Sequence, residues 1–233
     1  MKSYTRIQLC LRRIALVIGL SLIATTSGWG QRISAAAGHP DTSQWKNLFE
    51  TDLSNAILSP GGWVIEDGML SAKKGDTIWT KESYGNFVLD LEFKVAKDAN
   101  SGVFLRCGNI KNVLDAFEIQ VHESTDGSKF GMVGALYDAK APSKNMAKPV
   151  GEWNRFTITF KDSHLALVFN GEQVLNLDLN DWPEARKNPD GTPNKFAKPL
   201  KDYARKGPIG FQGLHGREAA PVWYRNVKIK TLD

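Results

Sequence analysis

The chain has 233 residues, 42% of them hydrophobic and 24% charged, which is enough apolar material for a soluble globular fold with one sizeable core. Its formal net charge of +5 would ordinarily direct attention to nucleic acid or an anionic membrane. Positions 1–37, however, hold Lys2, Arg6, Arg12, Arg13 and Arg32 and no acidic residue, so 38–233 keeps 25 basic against 25 acidic residues and is formally neutral.

The first element is an export leader. A positive stretch ending in Arg12-Arg13 precedes the apolar run Ile14–Ala24 and then small and polar residues. That run of 11 residues makes roughly 16 Å of helix at about 1.5 Å per residue. A bilayer core of about 30 Å takes about 20 apolar residues, so no membrane span is expected. Ala35-Ala36-Ala37 offers a cleavage site and Gly28-Trp29-Gly30 an earlier one; an uncleaved N-terminal anchor is the alternative. The expectation is a signal peptide over 1–37 and a periplasmic or extracellular domain over 38–233. Cys10 leaves with the leader, so Cys107 stands alone and an internal disulfide is excluded. The domain must be held by its core, and a buried thiol fits Cys107 better than a reactive one.

Beyond the leader the pattern is β. Strands are expected at Trp63–Ile65 and Thr77–Lys81. Phe87, Leu89, Leu91, Phe93 and Val95 alternate with Val88, Asp90, Glu92 and Lys94, a period of two that puts five apolar residues on one sheet face. Gly102–Arg106 and Phe117–His122 follow, then a possible helical turn near Tyr137–Met146. Asn154–Phe160 alternates again. Leu165–Phe169 and Gln173–Leu177 flank Asn170-Gly171, a strong hairpin signal because both turn positions need φ > 0. Ile209–Gln212 and Trp223–Ile229 complete the set. Many short strands with regular turns imply an antiparallel β-sandwich of jelly-roll type, and no repeat or composition break divides it.

Residues 180–206 break the pattern, with four prolines, no strand period and seven basic residues against four acidic. A loop this long is either a solvated excursion or a wall over a binding site. In the second case Trp182, Phe196 and Tyr203 would anchor it.

Chemistry is best sought on Phe117–His122. Its apolar residues are odd-numbered, so Glu118, Gln120 and His122 share the opposite face. Arg106 and Arg225 end or interrupt neighbouring runs. Such groups suit a polyhydroxylated ligand, although an ordinary solvated face would read the same way. Glu118 and His122 lie roughly 14 Å apart along a strand, too far for a dyad. A partner for Glu118 must come from elsewhere, with His215 in Gln212-Gly213-Leu214-His215-Gly216 the leading candidate. His39, His122, His164 and His215 show no tight metal-ligand spacing. A divalent ion held by Glu118, His122 and His215 stays open. Nucleophile-elbow, P-loop and dinucleotide-binding patterns do not occur, and no nucleotide cofactor is expected.

Nine motifs in order carry a family resemblance: Trp45–Phe49 (WKNLF), Trp63–Leu70 (WVIEDGML), Ile78–Lys81 (IWTK), Asn100–Arg106 (NSGVFLR), Phe117–Gln120 (FEIQ), Gly151–Asn154 (GEWN), Asn170-Gly171, Ile209–Gln212 (IGFQ) and Trp223–Ile229 (WYRNVKI). Over roughly 45–232 the chain resembles the 3-keto-disaccharide hydrolase domain family. The resemblance implies a concanavalin A-like jelly roll, with hydrolysis or β-elimination of glycosides already oxidised at C3. It implies Glu118 as base or acid, His215 as the second proton-transfer group and Arg106 as oxyanion or hydroxyl clamp, with Gln120, His122, Tyr137 and Arg225 around the sugar. Similar sequences tend to read Q-D-H-G where this chain reads Q-G-L-H-G: the acid is absent and one residue is added before His215. A non-catalytic carbohydrate-binding module is the competing reading. A conventional glycosidase would need two carboxylates around one bond, and only Glu118 stands out.

Overall fold

The computed structural model describes residues 38–123, 129–216 and 219–232. The expected leader, with Cys10 and both candidate cleavage sites, lies outside the described residues. Thirteen strands follow one another: β1 (Lys46–Asn47), β2 (Ala56–Ile57), β3 (Trp63–Glu66), β4 (Met69–Ala72), β5 (Ile78–Thr80), β6 (Phe87–Val95), β7 (Asn100–Leu105), β8 (Phe117–His122), β9 (Asn154–Lys161), β10 (His164–Phe169), β11 (Glu172–Asp178), β12 (Gly210–Phe211) and β13 (Val222–Thr231). They form two antiparallel sheets. The larger runs β11-β10-β9-β6-β13-β4-β3 with β1 added on β13, and the smaller runs β2-β5-β12-β7-β8. This is the expected all-β jelly-roll sandwich. Among the described residues no helix is long and apolar enough to cross a membrane.

Alternation decides which faces meet. Phe87, Leu89, Leu91, Phe93 and Val95 of β6 are all buried. They join Phe156, Ile158 and Phe160 of β9 and Leu165, Leu167 and Phe169 of β10. From the smaller sheet come Val103, Leu105, Phe117, Ile119, Val121 and Phe211. Phe117 meets Phe160 edge-on at 5.2 Å, and Phe211 meets Tyr224 at 4.7 Å. Each such side chain contributes about 1.5–3 kcal/mol on burial, so this apolar layer holds the domain without a disulfide. Cys107 is buried and free, and burial pushes its thiol up to about 11, away from nucleophilic use.

The hairpin at Asn170-Gly171 forms as its dipeptide requires, with φ of 48° and 91°. Asn170 also accepts from the Arg155 N–H at 2.8 Å and donates to the Met146 carbonyl at 2.7 Å, which ties the turn to its surroundings. Two expectations are corrected. No helix forms over Tyr137–Met146: Asp138 takes φ of 56° and Pro142 removes a donor, so the segment is a series of turns. Among the described residues the only helical pieces are three-residue 3-10 turns at Val113–Asp115, Leu179–Asp181 and Leu200–Asp202. The strand expected to end at Arg106 stops at Leu105, because Arg106 adopts a left-handed φ of 49°.

Residues 180–206 are an ordered wall. Trp182, Phe196 and Tyr203 are buried at 3–4% exposure, as expected of anchors. The buried Asn188 organises the segment: its Oδ1 accepts from Trp182 Nε1 at 3.1 Å and Asn194 Nδ2 at 2.9 Å, and its Nδ2 donates to the Asp138 carbonyl at 3.1 Å. At the far end the Tyr203 hydroxyl donates to the Leu114 carbonyl at 2.8 Å, and Lys198 pairs with Asp115 at 2.6 Å.

Candidate active site

The outward face of the smaller sheet is built row by row. β7 and β8 set Asn100 opposite His122, Gly102 opposite Gln120 and Phe104 opposite Glu118. β12 then sets Gly210 opposite Phe104, and β5 sets Trp79 opposite Gly210. Gly210 has no side chain because Trp79 lies over it, and Trp79 stacks on Phe104 at 5.5 Å and 24°. Gly102 likewise leaves a gap in the middle of the face, and the Glu118 carboxyl fills it.

Glu118 is therefore partly buried, its carboxyl packed over Gly102 beside Phe104 on a face that mixes aromatic and polar groups. Burial raises its pKa to about 8, against an opposing pull from the Lys195 ammonium. A carboxyl raised by desolvation is a proton carrier at neutral pH and a stronger base than an ordinary carboxylate. Beside it, Gln120 Nε2 donates to Asn100 Oδ1 at 2.8 Å, which fixes both amides.

His215 reaches this face through a local irregularity. Gly210 faces Phe104, and the Gln212 N–H donates to the Gly102 carbonyl at 2.9 Å. An unbroken register would place Leu214 opposite Asn100, but His215 stands there. The added residue is absorbed at Gly213-Leu214, where one extra residue against the partner strand makes a bulge. Leu214 N–H donates to the Lys74 carbonyl at 2.9 Å, and a Cβ on Gly213 would collide with the carbonyls of Asp76 and Lys74. The insertion thus returns the histidine to the face, in the row of Asn100 and His122.

The geometry divides the expected residues. Glu118, Gln120, His122 and His215 share one face. His215 stands four residues along the strand from the row of Glu118, a backbone separation of roughly 14 Å at about 3.4 Å per residue, and the lean of the Glu118 carboxyl over Gly102 shortens the gap between them. Arg106 is elsewhere. Its left-handed backbone turns the side chain out of the face, so Nε donates to the Gly85 carbonyl at 2.8 Å and Nη1 to the Asp162 carbonyl at 2.7 Å. Its guanidinium stacks on the core-facing Phe160 ring at 3.7 Å, so it acts as a structural clasp. Arg225 lies on the outward face of the other sheet, paired with Glu92 at 2.6 Å and stacked on Trp153 at 3.9 Å. Among the described residues no three His, Cys, Asp or Glu side chains gather as metal ligands.

Two loops complete the site. The Tyr137 N–H donates to the Glu118 carbonyl at 2.9 Å, which ties the 129–146 segment to β8. Lys195, from the 180–206 wall, donates through Nζ to the Tyr137 hydroxyl at 2.5 Å and lies 4.7 Å from its ring centre. Its backbone N–H donates to Asp138 Oδ2 at 2.6 Å. The Tyr137 hydrogen bond raises the lysine's pKa and keeps it an ammonium. Lys195 and Gly102 carry no local signal of function; only the basic excess of the wall pointed towards Lys195. A separate cavity of about 430 Å³ between Phe130, Lys140 and β11 contains none of these groups.

Fold and face together define a jelly-roll β-sandwich with one proton-carrying carboxyl among amides, imidazoles and an ammonium. The chain belongs to the 3-keto-alpha-glucoside-1,2-lyase-like domain family, whose sequence profile matches residues 35–230. It is 28% identical over 212 residues to a 3-keto-disaccharide hydrolase of Bacteroides thetaiotaomicron, covering 75% of this chain and 71% of that protein. A solved structure from Parabacteroides distasonis, provisionally described as a glycosyl hydrolase, is 36% identical with a TM-score of 0.77, over 81% of this chain and 100% of that one. A second from the same organism, described in the same way, is 26% identical with a TM-score of 0.61, over 74% and 84%.

Proposed function

We propose that the chain is an exported enzyme that cleaves 3-keto-glycosides at the C1–O bond, with Glu118 moving the C2 proton. The observation that carries this reading is the Glu118 carboxyl, raised to about 8 by burial, on a face of Gln120, Asn100, His122 and His215. The family membership supports the substrate class, and the leader pattern of 1–37 supports export.

The chemistry follows from the ketone. A carbonyl at C3 makes the C2 hydrogen acidic, and the Glu118 carboxylate takes it. The electron pair left behind forms the enolate. Collapse of the enolate restores the C3 carbonyl, forms the C1=C2 bond and expels the C1 oxygen, which takes up a proton. Addition of water across C1=C2 then completes a net hydrolysis. The amides and imidazoles along the face hold the sugar hydroxyls and fix C2 against the carboxylate. Because the base is the ionised form, kcat/KM rises with pH through about 8.

The test uses 4-nitrophenyl 3-keto-α-D-glucoside and the unoxidised glucoside. The expected result is turnover of the keto compound only, with at least 100-fold loss in Glu118→Gln, in the range of a missing acid–base group. Release of the unsaturated keto sugar would mark elimination, and release of 3-keto-glucose net hydrolysis. Saturable binding without turnover would replace the enzyme by a carbohydrate-binding module, and wild-type and Glu118→Gln proteins of equal activity would remove Glu118 from the chemistry.

A further inference from the structure

The reaction needs two proton movements, one from C2 and one to the departing oxygen, and Glu118 supplies the first. The second group must reach the same sugar from another element. His215 stands one same-face row beyond the Gly102 gap that the Glu118 carboxyl fills, roughly 7 Å along the strand, and Arg106 is turned into the core side. Tyr137 is next to Glu118 by construction, since its N–H donates to the Glu118 carbonyl at 2.9 Å. Its hydroxyl accepts from Lys195 Nζ at 2.5 Å, so the phenolic proton is left to point outward to a second acceptor. The backbone pairing sets Tyr137 beside Glu118, and Lys195 at the Tyr137 hydroxyl brings an ammonium close enough to oppose the rise of the Glu118 pKa.

We propose that Tyr137 is the general acid of the cleavage, donating its hydroxyl proton to the departing C1 oxygen while the Lys195 ammonium stabilises the tyrosinate that remains. The assignment rests on the reading of Glu118 as base. The protons balance. The C2 proton goes to Glu118, the C1–O bond breaks, and the leaving oxygen takes the Tyr137 proton. Glu118 then gives its proton to solvent and the tyrosinate takes one from solvent, so both groups are reset. The 180–206 wall thereby has a chemical purpose: it brings an ammonium from far along the chain to a hydroxyl next to the base. Lys195 is itself exposed, so its replacement leaves the core untouched.

Leaving-group dependence tests the assignment. 4-Nitrophenolate departs without an acid, whereas methoxide does not. Tyr137→Phe should lose at least 100-fold in kcat on methyl 3-keto-α-D-glucoside and less than about fivefold on the 4-nitrophenyl compound, the span expected of general acid catalysis. Lys195→Met should show the same bias, and Lys195→Arg should recover most of it. In D2O, Tyr137→Phe should still exchange the C2 hydrogen of the methyl compound for deuterium, because deprotonation needs only Glu118. Equal losses on both substrates, or loss of exchange together with cleavage, would overturn the acid role and leave the base reading standing. Wild-type protein inactive on both keto compounds would overturn both.

Discussion

Glu118 leans across Gly102, and a methyl group there would occupy the space of its carboxyl. The φ of Gly102 lies outside the left-handed region, so alanine fits the backbone and disturbs only this contact. Gly102→Ala should push the carboxyl towards water and bring its pKa down towards ordinary values. The acid limb of kcat/KM should then move at least one unit below its wild-type position near 8, with kcat reduced about 10–100-fold by misplacement. The stability cost should stay within about 1–3 kcal/mol, the usual range for overpacking. A pH–rate profile and a urea titration together check this. An unchanged acid limb would mean that burial against Gly102 does not set the carboxyl's pKa.

The sandwich was legible where local chemistry dictates local geometry. The period of two in Phe87–Val95 buries its apolar face, and Asn170-Gly171 makes the left-handed pair that closes β10 onto β11. Glu118, Gln120 and His122 were legible for the same reason, because alternation alone assigns them to one face. What escaped depends on contacts distant in sequence or on single backbone angles. Arg106 sits in strand register but is turned away by one positive φ. His215 looks displaced by an insertion, and only the pairing partner shows that a bulge absorbs it. Lys195 meets Tyr137 across 58 positions, and no periodicity encodes such a meeting. The element that makes it, the 180–206 wall, hangs on Asn188. Asn188→Ala would leave the Trp182 indole N–H and the Asn194 amide without that acceptor, at about 1–3 kcal/mol for each buried group left unsatisfied. Amide exchange should quicken over 182–196 while β6 stays protected, and activity should fall with the wall's order. Uniform exchange would show that the wall and the sandwich unfold as one unit.

Across the whole molecule, two partly buried titrating groups pull stability in opposite directions with pH. His39 accepts from the Gly171 N–H through Nε2 at 3.0 Å, so Nδ1 carries the proton and donates to Thr157 Oγ1 at 2.8 Å. Thr157 in turn donates to Asp90, which pairs with Arg155 at 2.9 Å. Burial and the Arg155 charge lower His39 to about 4. A depressed histidine is held neutral when folded, so its contribution is present above about 6.5 and fades as pH falls towards 4. Glu118 has the reverse sign: its folded pKa lies above the unfolded value, so the unfolded chain releases a proton that the native fold retains. Stability is therefore lost steadily as pH rises from about 4.5 to about 8. Glutamine at 118 keeps the shape and removes the titration. Glu118→Gln should match wild type near pH 4 and exceed it increasingly up to pH 8, by about 2–4 kcal/mol or several degrees in Tm. Paired urea titrations at pH 4, 6 and 8 read the difference directly, and parallel curves would mean that Glu118 is not held protonated by the fold. A widening gap would instead put the destabilising group of the sandwich on the face where the chemistry is proposed, as expected where a fold gives up stability to hold a reactive carboxyl out of water.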